Sequence, residues 1–132
     1  MKFVVGGAYQ GKTAAACELF GFDESEIVNG SVCVFEEAFT AKCINSYHRL
    51  IERLIAEGAS PLDFTKKLCA ENGNAVIIMD EIGCGIVPVE KSERRRREET
   101  GRCGCMISSA SDTVVRVICG IPVFLKGGRN ED

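Results

Sequence analysis

The sequence has one histidine, His48, no surplus of basic side chains and no apolar run longer than a strand. One histidine leaves Cys103-Gly104-Cys105 without a second Cys/His pair at ligand spacing, so a structural zinc site is not expected. Sixteen Lys and Arg stand against nineteen Asp and Glu, for a formal net charge of −3. No global basic field is present to draw nucleic acid or an acidic membrane surface. Apolar runs such as Ala75 to Met79 fall far short of the roughly 20 residues that span a bilayer. Met1-Lys2-Phe3-Val4-Val5, followed by glycines, is too short for a signal-peptide core. A cytoplasmic protein with no nucleic-acid and no membrane partner is expected.

Cysteine, by contrast, is plentiful: eight in 132 residues. In a secreted chain that number would suggest a disulfide framework. Most of these cysteines lie in apolar segments, where the residue packs as a small hydrophobe, and they are read as reduced. The length fits one domain, spanning 1–132.

Strand and helix patterns alternate. Lys2 to Val5 predicts a short buried strand and about Thr13 to Phe20 a helix, broken at Gly21-Phe22-Asp23. Ser31 to Phe35 reads as a second strand. Residues 40–57 carry Ile44, Tyr47, Ile51, Leu54 and Ile55 at helical spacing. Ser60-Pro61-Leu62-Asp63 reads as a helix start, with Ser as cap and Pro at the first position, and Asn72-Gly73 as its stop. Ala75 to Met79 is apolar on both faces, as central strands of covered parallel sheets are. A helix over 90–110, a strand over Thr113 to Cys119 and an extended piece over Val123 to Leu125 complete the pattern. Such alternation predicts an α/β fold with a mostly parallel sheet and ligands at the carboxyl ends of its strands.

Gly6-Gly7-Ala8-Tyr9-Gln10-Gly11-Lys12-Thr13 satisfies G-x-x-x-x-G-K-[ST] at every fixed position, after a predicted strand and before a predicted helix. Glycines let backbone N–H groups curl around phosphate oxygens, and the following helix points its positive end at the anion. Lys12 can then reach the β- and γ-phosphates and Thr13 can ligate Mg²⁺. A nucleoside triphosphate, ATP or GTP, with Mg²⁺ is therefore expected here. A further acid should stand at the end of a neighbouring strand to hold the metal. Glu36-Glu37 follows one predicted strand and Asp80-Glu81 another, and spacing alone does not rank them. Glu36, Glu37 and Glu81 are the candidates for catalytic acids; Glu37 and Asp80 join Thr13 as candidate metal ligands.

Residues 76–126 add a longer pattern. Val76-Ile77-Ile78-Met79-Asp80-Glu81-Ile82-Gly83-Cys84-Gly85-Ile86-Val87-Pro88 is followed by an arginine-rich helix, Ala110-Ser111-Asp112 and Gly120-Ile121-Pro122-Val123-Phe124-Leu125-Lys126. This resembles the bifunctional adenosylcobinamide kinase/adenosylcobinamide-phosphate guanylyltransferase family, with its N-E-V-G-x-G-I-V-P, A-x-x-A-D-x-V and G-[IL]-P-x-x-[IL]-K elements. Glu81, Gly83, Gly85, Ile86, Val87, Pro88, Arg94, Gly101, Asp112, Gly120, Pro122 and Lys126 match that pattern. The resemblance implies a P-loop NTPase fold of the RecA-like type, a corrinoid acceptor (adenosylcobinamide) or another small molecule, and a homo-oligomer. Family members carry a longer segment between the P-loop helix and the next strand, with an R-I-x-x-H-x-x-R-R element whose histidine takes the GMP group, and a following strand that ends in D-C-L-T. Here only Gly21 to Gly30 fills that interval, and Tyr9-Gln10 stands where the family has Arg-Ser. His48 comes after the predicted strand, inside a helix, and is read as a packed histidine rather than the guanylylated one.

Glu93 to Glu99 reads Glu-Arg-Arg-Arg-Arg-Glu-Glu. Four consecutive arginines fan around a helix, so at most one or two face a phosphate, and the resemblance selects Arg94. Two functions follow. One is a kinase of cobalamin biosynthesis acting on adenosylcobinamide, without a secure guanylyl step. The other is a degenerate nucleotide-binding relative, regulatory or acting on another substrate.

Overall fold

The computed structural model describes residues 1–81 and 90–128. At its centre β1 (Lys2–Gly6) runs parallel between β4 (Val76–Asp80) and β5 (Thr113–Ile118). Beyond β4 come β3 (Cys43–Asn45) and β2 (Ile27–Asn29), both parallel to their neighbours. Beyond β5 comes β6 (Ile121–Lys126), antiparallel, with a bulge at Val114/Val115. The order β2-β3-β4-β1-β5-β6 is the mostly parallel α/β sheet that the strand-helix alternation predicts.

Alternating side chains divide the core into two layers. Val4, Val76, Ile78, Val115 and Val117 meet Ala15 and Ala16 of α1 (Lys12–Phe20) on one face. Phe3, Ile44, Ile77, Met79 and Val114 meet α2 (Tyr47–Ala56), α3 (Pro61–Glu71) and α4 (Lys91–Ala110) on the other. β4 is buried on both faces as far as Met79, and only its last residue, Asp80, reaches partial exposure. Helix ends follow local chemistry. Gly21, at φ 68°, closes α1 in the left-handed region glycine favours. The Ser60 hydroxyl accepts the Asp63 N–H at 3.2 Å and Pro61 opens α3. Among the described residues no helix is long and apolar enough to cross a membrane.

Residues 31–35 do not form the expected strand. The Asn29 carbonyl accepts the N–H groups of Val32 and Cys33, and its side chain accepts that of Ser31, which turns the chain away from the sheet. Arg53 fixes the turn by donating to the carbonyls of Gly30 and Cys33 at 2.7 and 2.6 Å. Glu36 and Glu37 lie exposed on a short 3₁₀ turn (Phe35–Phe39), where the Glu37 carboxylate accepts the Val34 N–H. The strand end that was to bring them to the phosphates is therefore absent. Two three-residue strands, β2 and β3, take its place; neither is long enough to show a period. The helix expected over 40–57 starts only at Tyr47, because 43–45 join the sheet and Ser46 sits at φ 54°. The expected motif residues Gly83, Gly85, Ile86, Val87 and Pro88, like the tail 129–132, lie outside the described residues.

Gly30 ends β2 where no side chain fits. A Cβ there would stand 2.6 Å from the Ser46 carbonyl oxygen and 2.8 Å from that of Asn45. Gly30→Ala should destabilise the protein by about 1–3 kcal/mol, because backbone must move. Gly101→Ala, in the open interior of α4 with nothing within 4 Å, should instead stabilise by about 1 kcal/mol. Denaturant midpoints of the two variants should move in opposite directions.

Candidate active site at the carboxyl ends of β1, β3 and β4

The loop between β1 and α1 is built around one close approach and one turned lysine. A Cβ on Gly6 would meet the Val117 carbonyl oxygen at 2.6 Å, so only glycine lets β1 leave the sheet beside β5. Gln10 ties the loop to the β5–β6 turn: its side chain accepts the Cys119 N–H at 2.6 Å and its carbonyl the Gly120 N–H at 2.8 Å. Tyr9 at the tip is fully exposed. Lys12 is 8% exposed and folds back into the loop. Its ammonium donates to the Gly7 carbonyl at 2.8 Å and pairs with Asp80 Oδ1 at 2.7 Å.

Asp80 arrives there through register. β4 pairs with β1 so that Asp80 stands opposite Gly6. Glu81 is turned elsewhere, gripped by Arg116 through Nε–Oε1 at 2.7 Å and Nη2–Oε2 at 3.1 Å. On the other side of Asp80 stands His48, 8% exposed. Its Nδ1 accepts the Asp80 backbone N–H at 3.1 Å, and its Nε2 lies 3.4 Å from Asp80 Oδ2. Acceptance at Nδ1 leaves the proton of a neutral ring on Nε2, on the nitrogen near the carboxylate. Thr13 Oγ1 receives the Asn45 amide at 3.2 Å, which brings the end of β3 to the same place.

Thr13, Asp80 and Asn45 present hard oxygen atoms, the donor type Mg²⁺ takes. No group of three or more His, Cys, Asp or Glu gathers among the described residues. One carboxylate and one hydroxyl, with the phosphates of a nucleotide, could hold such a cation. Of the residues singled out in the sequence, the structure brings together Gly6, Gly7, Lys12, Thr13 and Asp80. It sets Glu81 on Arg116, and it leaves Glu36, Glu37 and Arg94 outside the groups bonded to Lys12 or Thr13. Asn45 and Arg116 were missed, and His48 was read as a packed histidine, which its 8% exposure bears out, without its contact to Asp80. Asn45 sits in a strand too short to read, and His48 and Arg116 act through partners distant in the chain.

The chain matches the model of the cobinamide kinase / cobinamide phosphate guanyltransferase family over residues 36–125. It belongs to that family. No match is found among curated proteins. The family match begins beyond the P-loop, so the nucleotide site stands on its own motif and geometry. Membership makes the protein a P-loop NTPase fold and ties it to transferase chemistry of cobalamin synthesis.

Burial pushes the His48 imidazolium below its ordinary 6.5, against the opposing pull of the Asp80 carboxylate. The unfolded chain thus binds a proton more readily than the folded one. The stability His48 contributes is complete above pH 6.5 and is lost as pH falls through the lower folded value. His48→Gln should therefore differ most from the parent at neutral pH. Thermal midpoints of the two should converge as pH falls below 6.5.

Proposed function

We propose that this family member is a kinase that moves the γ-phosphoryl group of ATP or GTP to a hydroxyl of adenosylcobinamide. The observation that carries the reading is the Lys12–Asp80 pair of 2.7 Å at the mouth of the P-loop. It supports the reading because a cation suited to phosphates stands beside a carboxylate suited to a metal. The backbone N–H groups of Gly7, Ala8, Tyr9, Gln10 and Gly11 would wrap the phosphates, with the α1 N-terminus behind them. Lys12 would exchange Asp80 for the β- and γ-oxygens, and Thr13 and Asp80 would hold Mg²⁺. Bound there, Mg²⁺ offsets the charge that develops on the transferring group. His48 would keep Asp80 in place by accepting its backbone N–H, with the ring packed beside its carboxylate. Catalysis of this kind is mostly positioning and electrostatics.

His48 also bears on the second family activity. It is the only histidine of the chain, its Nδ1 is committed to the Asp80 backbone N–H, and it is only 8% exposed. An imidazole packed in this way is poorly presented to a nucleotidyl group, which supports a kinase without guanylyl transfer. A homo-oligomer is part of the reading. Ile118, Ile121, Val123 and Leu125 stand exposed along β5 and β6, an apolar row that suits a second copy.

A second reading, nucleotide binding without the family reaction, is favoured by the short interval Gly21 to Gly30 where the family carries a longer segment. Mg²⁺, γ-labelled ATP or GTP and adenosylcobinamide separate the two. Label on the corrinoid supports the kinase. Intact nucleotide binding without transfer would leave the second reading standing.

A further inference from the structure

A small cavity of about 280 Å³ opens beside the P-loop at the carboxyl ends of β4 and β5. Gly7 and Gln10 of the loop wall one side, and Glu81, Arg116 and Ile118 the other. Strand register brings them together. Arg116 stands opposite Val5, the residue before Gly6. The Glu81 N–H donates to the Gly6 carbonyl at 2.8 Å, which roots its carboxylate at the same point. Val115 and Val117 pack on the α1 side of the sheet, so alternation turns Arg116 to the other face.

An exposed ion pair alone adds little stability, and the Arg116 and Glu81 side chains keep 46% and 26% exposure. Position gives the pair a stronger reason. A bare Glu81 carboxylate at the mouth of a phosphate loop would repel a triphosphate. Arg116 offsets that charge and has donors to spare. Its fork to Glu81 uses Nε–H and one N–H of Nη2. The Nη1 donors and the second Nη2 donor have no partner among the described residues. Lys12 is the only cation between Gly6 and Thr13. Its ammonium, of a kind that serves β- and γ-oxygens, rests on the carbonyl of Gly7, which walls the same cavity. The far end of a triphosphate held by Lys12 therefore has Arg116 as its nearest further cation in that cavity.

We propose that Arg116 is a second cation of the nucleotide site and binds the γ-phosphate, with Glu81 as the positioning residue that holds the guanidinium in place. The inference rests on the P-loop part of the kinase reading and needs no particular acceptor. Lys12 holds the triphosphate from within the loop, and Arg116 meets its end from β5. Glu81 fixes the planar fork before nucleotide arrives, so little side-chain entropy is left to lose. A nucleoside diphosphate ends short of Arg116.

The probes are the β,γ-imido analogues of ATP and GTP, whose γ-phosphate stays in place, against ADP and GDP, with Mg²⁺ and the full chain. By calorimetry the parent should bind the triphosphate analogue more tightly than the diphosphate. Arg116→Gln should weaken the analogue at least about tenfold, the loss expected for a charge-assisted contact to phosphate. Diphosphate affinity should not change, which also shows that the variant is folded and its loop intact. A second measurement on the parent covers the case in which the variant does not fold. Phenylglyoxal modifies guanidinium groups, and its product at Arg116, mapped by mass spectrometry, should disappear with the analogue bound and persist with the diphosphate bound. A preference for triphosphate that survives in Arg116→Gln, or labelling of Arg116 indifferent to the analogue, would overturn the proposal. So would equal losses for both nucleotides, because Arg116 then supports only the shape of the loop, and so would a parent with no preference for triphosphate. Transfer to adenosylcobinamide is read separately. Its absence, with the selective loss in Arg116→Gln present, would remove the kinase reading and leave this contact standing.

Discussion

Lys12→Ala should weaken ATP or GTP binding by about 100-fold, the loss expected when one strong charge-assisted contact to phosphate disappears. The ammonium is already inside the loop, 2.8 Å from the Gly7 carbonyl and 2.7 Å from Asp80. A phosphate entering the loop meets a donor that needs no long search, so little side-chain entropy remains to be lost. The same substitution leaves Asp80 with His48 alone. Because Asp80 keeps 29% side-chain exposure, water shares the burden, and the nucleotide-free protein should lose only about 1–2 kcal/mol, less than a fully buried pair would cost. Calorimetric titration measures the first effect. Thermal unfolding with and without nucleotide measures both, since a ligand that binds only the folded state raises the midpoint by mass action. An unchanged nucleotide affinity in Lys12→Ala would remove the P-loop from the function altogether.

Asp80→Asn should act in opposite directions with and without metal. Without Mg²⁺ the carboxylate opposes the incoming triphosphate and occupies Lys12. Its neutralisation should tighten metal-free ATP binding by about tenfold, a modest fraction of the repulsion between near charges in a partly wet site. With Mg²⁺ the same change would remove the proposed metal ligand, so the gain from adding Mg²⁺ should vanish and turnover should fall by about 100-fold or more. Asparagine is nearly isosteric and keeps its backbone N–H on His48, so the fold should hold and the two effects can be read on folded protein. Metal-free affinity weaker than that of the parent would mean that Asp80 serves the loop structurally and not the metal.

Much of this site was legible one residue at a time. The P-loop motif carries its own geometry, since each fixed position answers a local demand of a strand-turn-helix. α3 announced itself by its cap and α4 by its length, and β4 by the apolar run Ala75 to Met79 that only a doubly covered strand can bury. β2 and β3 did not. Each is three residues long, shorter than the period needed to show alternation, and each is held by its neighbour rather than by its own propensity. The β-branched run at 31–35 was the stronger local signal. It lost to Asn29 and Arg53, which satisfy its backbone outside the sheet.

The choice among the acids shows the same division. By itself the sequence determined that a phosphate loop exists, that an acid from a strand end should serve it, and which family the pattern resembles. Motif, period and capping are short-range properties, written within about ten residues of chain. Only the tertiary structure decided that Asp80 and not Glu81 meets Lys12, that Glu36 and Glu37 sit on a turn elsewhere, and that His48 buttresses Asp80. Neighbouring residues at a strand end point to opposite sides. The pairing of Gly6 with Asp80 between strands more than seventy residues apart therefore settles which carboxylate faces the loop, and that register is a property of the assembled sheet.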